Sequence, residues 1–174
     1  LGRLLQFACQ CLQTENPTGN DTDTVLDYDF AGGQHTRPLH ARLRLVYRHE
    51  KDREQHLCLR ALQRLHPIAY QNRLAAAMRI AGIDRALSFR RLIIVRTHDL
   101  PRGAKAQQLT KQFQDAGGRI VRPTEDELRT LGAIWRLRQQ KQPQLNEWLQ
   151  QQRPVSQLPF LQEAVTWLFN GAPP

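Results

Sequence analysis

The sequence predicts an α/β fold: a four-strand mixed sheet, built from an N-terminal hairpin and a parallel β-α-β unit, flanked by helices and followed by a C-terminal helical extension. Three observations carry this reading. Leu92-Ile93-Ile94-Val95 is a continuous aliphatic run of the length of a strand buried on both faces. Residues 104–116 have good helix formers throughout, with Leu109, Phe113 and Ala116 at helical spacing, and Gly117-Gly118 supplies the glycine that ends such a helix. Residues 24–30 and 41–49 alternate between apolar and polar side chains, as the two half-buried strands of an antiparallel hairpin do.

In chain order, residues 3–13 place Leu4, Leu5, Phe7, Ala8, Cys11 and Leu12 in an amphipathic helical pattern. The ENPTGNDTD stretch that follows is turn chemistry and predicts a surface loop. In the first strand Leu26, Tyr28 and Phe30 oppose Val25, Asp27 and Asp29. In the second, Leu43, Leu45 and Tyr47 oppose Arg42, Arg44, Val46 and Arg48. Between them, residues 31–39 hold Gly32-Gly33 and Pro38, a hairpin loop. Residues 51–82 read as a helix in two pieces, with Asp52 as N-cap, Leu57, Ala61, Leu62 and Leu65 on one face, a break at Pro67 and an end at Gly82.

After the Leu92 run and the helix at 104–116, Arg119-Ile120-Val121-Arg122 is a second short strand, parallel to the first because a strand–helix–strand unit of this length makes a crossover. Thr124 with Glu127 three residues on is a capping-box signature opening another helix. Pro143 suits the first turn of a short helix carrying Leu145, Trp148 and Leu149, and residues 153–159 form a linker. Phe160, Leu161, Ala164, Val165, Leu168 and Phe169 make a last amphipathic helix, and the Gly-Ala-Pro-Pro end is expected to fray. The predicted organisation is an α/β domain over residues 1–140, a helical extension over 141–174 packed on it, and the whole a fragment of a longer protein.

Composition narrows the function classes. The chain has 174 residues, 40% of them apolar, and no run approaches the ~18 apolar residues of a membrane span. Cys9, Cys11 and Cys58 have neither disulfide-framework nor metal-ligand spacing, which indicates a reducing, cytoplasmic setting. The net charge is +9, with 25 basic residues of which only Lys51, Lys105, Lys111 and Lys141 are lysines. Such an excess points to a polyanionic partner.

Two arginine clusters are candidate phosphate sites. At the ends of the parallel strands the sequence places Arg96, His98, Arg102 and Lys105 after the first strand and Arg122 after the second, beside a helix start and in the crevice where open α/β sheets bind ligands. On the hairpin, alternation aims Arg42, Arg44 and Arg48 to one side. Asp27 and Asp29 on the paired strand are placed to neutralise Arg42 and Arg44, which leaves Arg48 available. Catalytic motifs are missing. Gly103-Ala104-Lys105 lacks the pattern of a P-loop, the six histidines form no metal-binding pair, and Ser88 and Ser156 lie in no nucleophile motif.

The element order, with acidic residues on the hairpin, resembles the restriction-endonuclease-like fold over about half the chain. The resemblance implies Asp27 or Asp29 as a metal-binding aspartate. It also calls for an acid, a spacer and a lysine on the next strand, where this chain reads Arg42-Leu43-Arg44. Arginines cannot hold Mg²⁺, which takes oxygen ligands. The function expected is therefore a non-enzymatic nucleic-acid-binding module, for DNA in preference to RNA, of a larger cytoplasmic bacterial-type protein. It would contact backbone phosphates and carry no cofactor. The alternatives are a protein-interaction or assembly domain of an ATPase or mobile-element machine, or a catalytically inactive restriction-endonuclease-like domain.

Overall fold

The turn after the hairpin decides the architecture. In the computed structural model, which describes residues 1–30 and 37–170, strand β2 (Ala41–Tyr47) runs into a single 3₁₀ turn, and Lys51 and Asp52 then both take the left-handed conformation at φ 56°. The chain thereby reverses into β3 (Arg53–Ala61), which pairs antiparallel with β2 from Tyr47 opposite Arg53 to Ala41 opposite Leu59. This corrects two expectations. The first half of the helix read at residues 51–82 is a strand, and the sheet has five strands rather than four. The second half is helical, as α2 (Pro67–Ala81).

The sheet order is sequential. Strand β1 (Thr22–Asp27) pairs antiparallel with β2, β3 is parallel to β4 (Arg90–Val95), and β4 is parallel to β5 (Arg119–Val121). The crossover helices α2 and α3 (Ala104–Asp115) lie on one face, as two successive crossovers of one hand require. The opposite face carries α1 (Gly2–Glu15), α4 (Glu125–Gln139), α5 (Leu145–Gln152) and α6 (Pro159–Val165), the last running into one π-helical turn. Strand β3 divides its side chains between the two cores: Leu57 and Leu59 join the α1 side, Cys58 the α2 side.

Local chemistry explains the ends of these elements. A Cβ on Gly118 would meet the Phe113 ring at 2.1 Å, so only glycine lets β5 start this close to the end of α3. The capping box forms: Thr124 N–H donates to Glu127 Oε2 at 2.6 Å, and Glu127 N–H to Thr124 Oγ1 at 3.2 Å. Glu127 Oε1 also accepts the N–H of Phe160 at 2.9 Å, joining the start of α4 to the start of α6. Burial alone would raise this carboxyl, but these donors outweigh it and hold the group below its ordinary range.

The helices after residue 140 share the core of the sheet. Leu145, Leu149, Val155, Leu158, Leu161, Val165 and Leu168 are buried in one cluster with Leu5, Phe7 and Leu12 of α1. Buried Glu15 at the end of α1 accepts from Val155 N–H at 2.9 Å and from both the N–H and the hydroxyl of Ser156 at 2.7 Å. Arg153 donates in turn to Asn16. The hairpin loop expected at residues 31–39 falls largely outside the described residues, as does the Gly-Ala-Pro-Pro end. Among the described residues no helix is long and apolar enough to cross a membrane.

Candidate nucleic-acid interface

Strands β3, β4 and β5 run parallel, so their C-terminal ends share one edge of the sheet. The ladder continues one step past each end, with Leu62 N–H donating to Val95 O at 3.1 Å and Arg96 N–H to Val121 O at 3.0 Å. Arg96 is 1% exposed, and four of the five N–H groups of its guanidinium are engaged by backbone. It donates to the carbonyls of Leu62 at 2.6 Å, Arg64 at 3.1 Å, His98 at 3.0 Å and Asp99 at 2.7 Å, and stacks over the Tyr70 ring at 5.3 Å. Gln63 completes the clamp. Its amide donates to Val95 O at 3.2 Å, and its Oε1 accepts from Thr97 N–H at 3.1 Å and Thr97 Oγ1 at 3.0 Å and lies 3.1 Å from His98 Nδ1. Arg96 thus positions the two loops that carry Arg64 and His98 instead of presenting its own charge to solvent.

Beside these loops, between the start of α1 and the end of β3, lies a cavity of about 1120 Å³. Arg3, Arg37, Arg60, Arg64 and His40 line it together with apolar and amide side chains, and among the described residues no carboxylate does. Arg60 points from β3 into this space while only 4% exposed. Its Nη1 lies 3.4 Å from His40 Nε2, and its Nε has no hydrogen-bond partner. His40 Nδ1 accepts from Ala61 N–H at 3.0 Å, so in the neutral ring the proton sits on Nε2, facing Arg60 as a second donor. Burial, then the Arg73 and Arg64 charges, push the Arg60 guanidinium down to about 10. Burial, reinforced by Arg60, takes His40 down to about 3.

The other residues singled out from sequence divide into two groups. His98, Arg102, Lys105 and Arg122 are exposed on the loops and the helix start that border this edge. Arg102 and Lys105 have no carboxylate partner among the described residues, and Arg122 pairs with Asp99 at 3.0 Å. The hairpin arginines are engaged elsewhere. Arg42 donates to Ile80 O at 2.7 Å, Arg44 bridges Asp27 and Glu54 at 2.8 Å each, and Arg48, expected to stay available, forms a two-point pair with Asp23 at 2.6 Å. Sequence reasoning missed Arg3, Arg37, His40, Arg60 and Arg64. The signal for two of them lay in residues 53–61, which alternate around Leu57 and Leu59 and carry Arg60 and Arg64 to the sheet edge once read as a strand.

Among the described residues no group of three or more His, Cys, Asp or Glu side chains is placed to hold a metal ion. Asp27, one of the two aspartates that the resemblance offers for a metal, is held by the Arg44 guanidinium, which also pairs with Glu54. The three cysteines are buried and free, and burial raises their thiols, Cys11 to about 12. Comparison with protein-family models, with curated proteins and with solved structures finds no match.

Proposed function

We propose that the chain is a non-enzymatic module that binds nucleic acid, DNA in preference to RNA, by gripping backbone phosphates at the edge where β3, β4 and β5 end. One observation carries this reading: a cavity lined by four arginines and a histidine without a single carboxylate among the described residues. At the same edge of the sheet the exposed Arg102 and Lys105 add positive charge with no carboxylate partner among the described residues, consistent with a net charge of +9. Contacts of this kind position a protein on a duplex and read little sequence. Trp135 is the one tryptophan, tyrosine or phenylalanine among the described lining residues, and its ring packs on Phe7 at 5.8 Å. Three free thiols fit a reducing, cytoplasmic setting.

Fluorescence anisotropy with a mixed-sequence duplex across a salt series tests the proposal. Binding is expected in the micromolar range at about 50 mM salt. Arg3→Ala and Arg64→Ala should each lower the log–log salt slope by roughly one, and Arg136→Ala, at an exposed position of α4, should leave it unchanged. Affinity no better than about millimolar at that salt, or equal losses in the Arg136 control, overturns it. A catalytically inactive restriction-endonuclease-like domain is the second reading, favoured by the Arg44 bridge between Asp27 and Glu54.

A further inference from the structure

Arg60 and Arg96 are both buried arginines at the same edge of the sheet, and the fold treats them in opposite ways. Arg96 receives four backbone carbonyls. Arg60, at 4% exposure, meets no backbone carbonyl among the described residues: its Nε lacks a partner and its Nη1 faces the donor side of His40 at 3.4 Å. A buried cation with an unpartnered N–H and a second nitrogen facing a donor is an unfavourable arrangement, because the desolvation of those groups is not offset by an acceptor. What is missing is an anion with oxygens on more than one side, and the cavity that Arg60 lines leads to it.

Resting on the nucleic-acid reading above, we propose that Arg60 and His40 seat a phosphate monoester, the terminal phosphate of a nucleic-acid end. Arg60 offers a planar fork of N–H donors and His40 offers Nε2–H, which together suit two oxygens of one tetrahedral group. The charge favours a terminal phosphate over a backbone diester. Arg3, Arg37, Arg60 and Arg64 surround the space with no acid among the described lining residues, and a monoester carries close to two negative charges where a diester carries one. A strand end also enters a cavity closed by α1 and the 62–64 loop more readily than the middle of a duplex does.

The test compares wild type with Arg60→Met, and with Arg60→Gln should the first variant fold poorly. Removing an uncompensated buried charge should leave the anion-free protein folded and no less stable. Inorganic phosphate at about ten times its Kd should raise the wild-type Tm by roughly 3–6 °C and leave the variants unmoved. A 5′-phosphorylated duplex should bind wild type about tenfold more tightly than its 5′-hydroxyl twin, a preference lost in both variants. Phosphate protection that depends on Arg60 without any duplex binding supports the seat while removing the nucleic-acid reading. Equal responses of wild type and variants to phosphate, or equal affinity of wild type for phosphorylated and hydroxyl ends, overturn the seat and leave that reading standing.

Discussion

Replacing Arg96 by methionine removes the clamp on the edge of the sheet while keeping much of the side chain's length over Tyr70. The guanidinium makes four hydrogen bonds to carbonyls of two separate loops and a stack on Tyr70. Bonds from a charged donor each contribute about 1.5–3 kcal/mol in favourable cases, but His98 and Asp99 are exposed and water can take the place of the arginine there. Counting about 1 kcal/mol for each bond and less for the outer ones gives a loss of about 3–5 kcal/mol with the stacking included. Urea unfolding followed by circular dichroism should show the midpoint fall with the slope unchanged. Below the transition, the loosened Arg64 loop should lower duplex affinity by no more than Arg64→Ala does, because Arg96 itself touches no phosphate. A stability loss under about 1 kcal/mol, accompanied by a salt slope lower by one, would refute this and make Arg96 a contact residue.

Two further outcomes follow from the geometry. His40 has its folded pKa, about 3, below its ordinary 6.5, so the unfolded chain binds a proton in that window and the folded chain does not. The stability this contributes is complete above about pH 6.5 and lost as pH falls, by about 2 kcal/mol at pH 5; His40→Gln should flatten the pH 7 to pH 5 difference in unfolding free energy, and an unchanged difference would remove the claim. Leu149→Ala, in the fully buried contact between α5 and the α1 core, should cost about 2–5 kcal/mol by thermal or chemical unfolding, whereas a loss below about 1 kcal/mol would mean that α5 is not part of the core.

What was legible in the sequence was whatever its own neighbours specify. The Leu92 run, Gly117-Gly118 and the pair Thr124–Glu127 announce β4, the end of α3 and the start of α4 because each is a local device. Strand β3 was not legible for two reasons. Leu57, Ala61, Leu62 and Leu65 also fit one face of a helix, a period that competes with the alternation around Leu57 and Leu59. The turn before it uses Lys51 and Asp52 in left-handed conformations where a glycine or asparagine would have signalled a hairpin. Missing β3 hid the residues it delivers to the edge, and with them the acceptors that draw Arg96 inward. Half of the candidate site, from His98 to Arg122, was visible because strand-end loops can be placed from the strands alone. The direction of a long side chain is decided by partners distant in sequence, as Arg42 shows by reaching Ile80.

The junction of Glu15 with Val155 and Ser156 spans 140 residues of sequence at its shorter reach. A carboxylate that is buried and held only by donors from so far downstream cannot be settled early in the life of the chain. At a synthesis rate of roughly 5–20 residues per second, α1 leaves the ribosome about 7–28 seconds before its partners exist. Throughout that interval Leu5, Phe7 and Leu12 lack the α5 and α6 side chains that will cover them. The contact between Glu15 and Val155 closes a long loop, whose entropy must be met before the contacts that reward it form. A polypeptide that ends before residue 155 leaves Leu5, Phe7 and Leu12 without the α6 side chains and Glu15 without its donors.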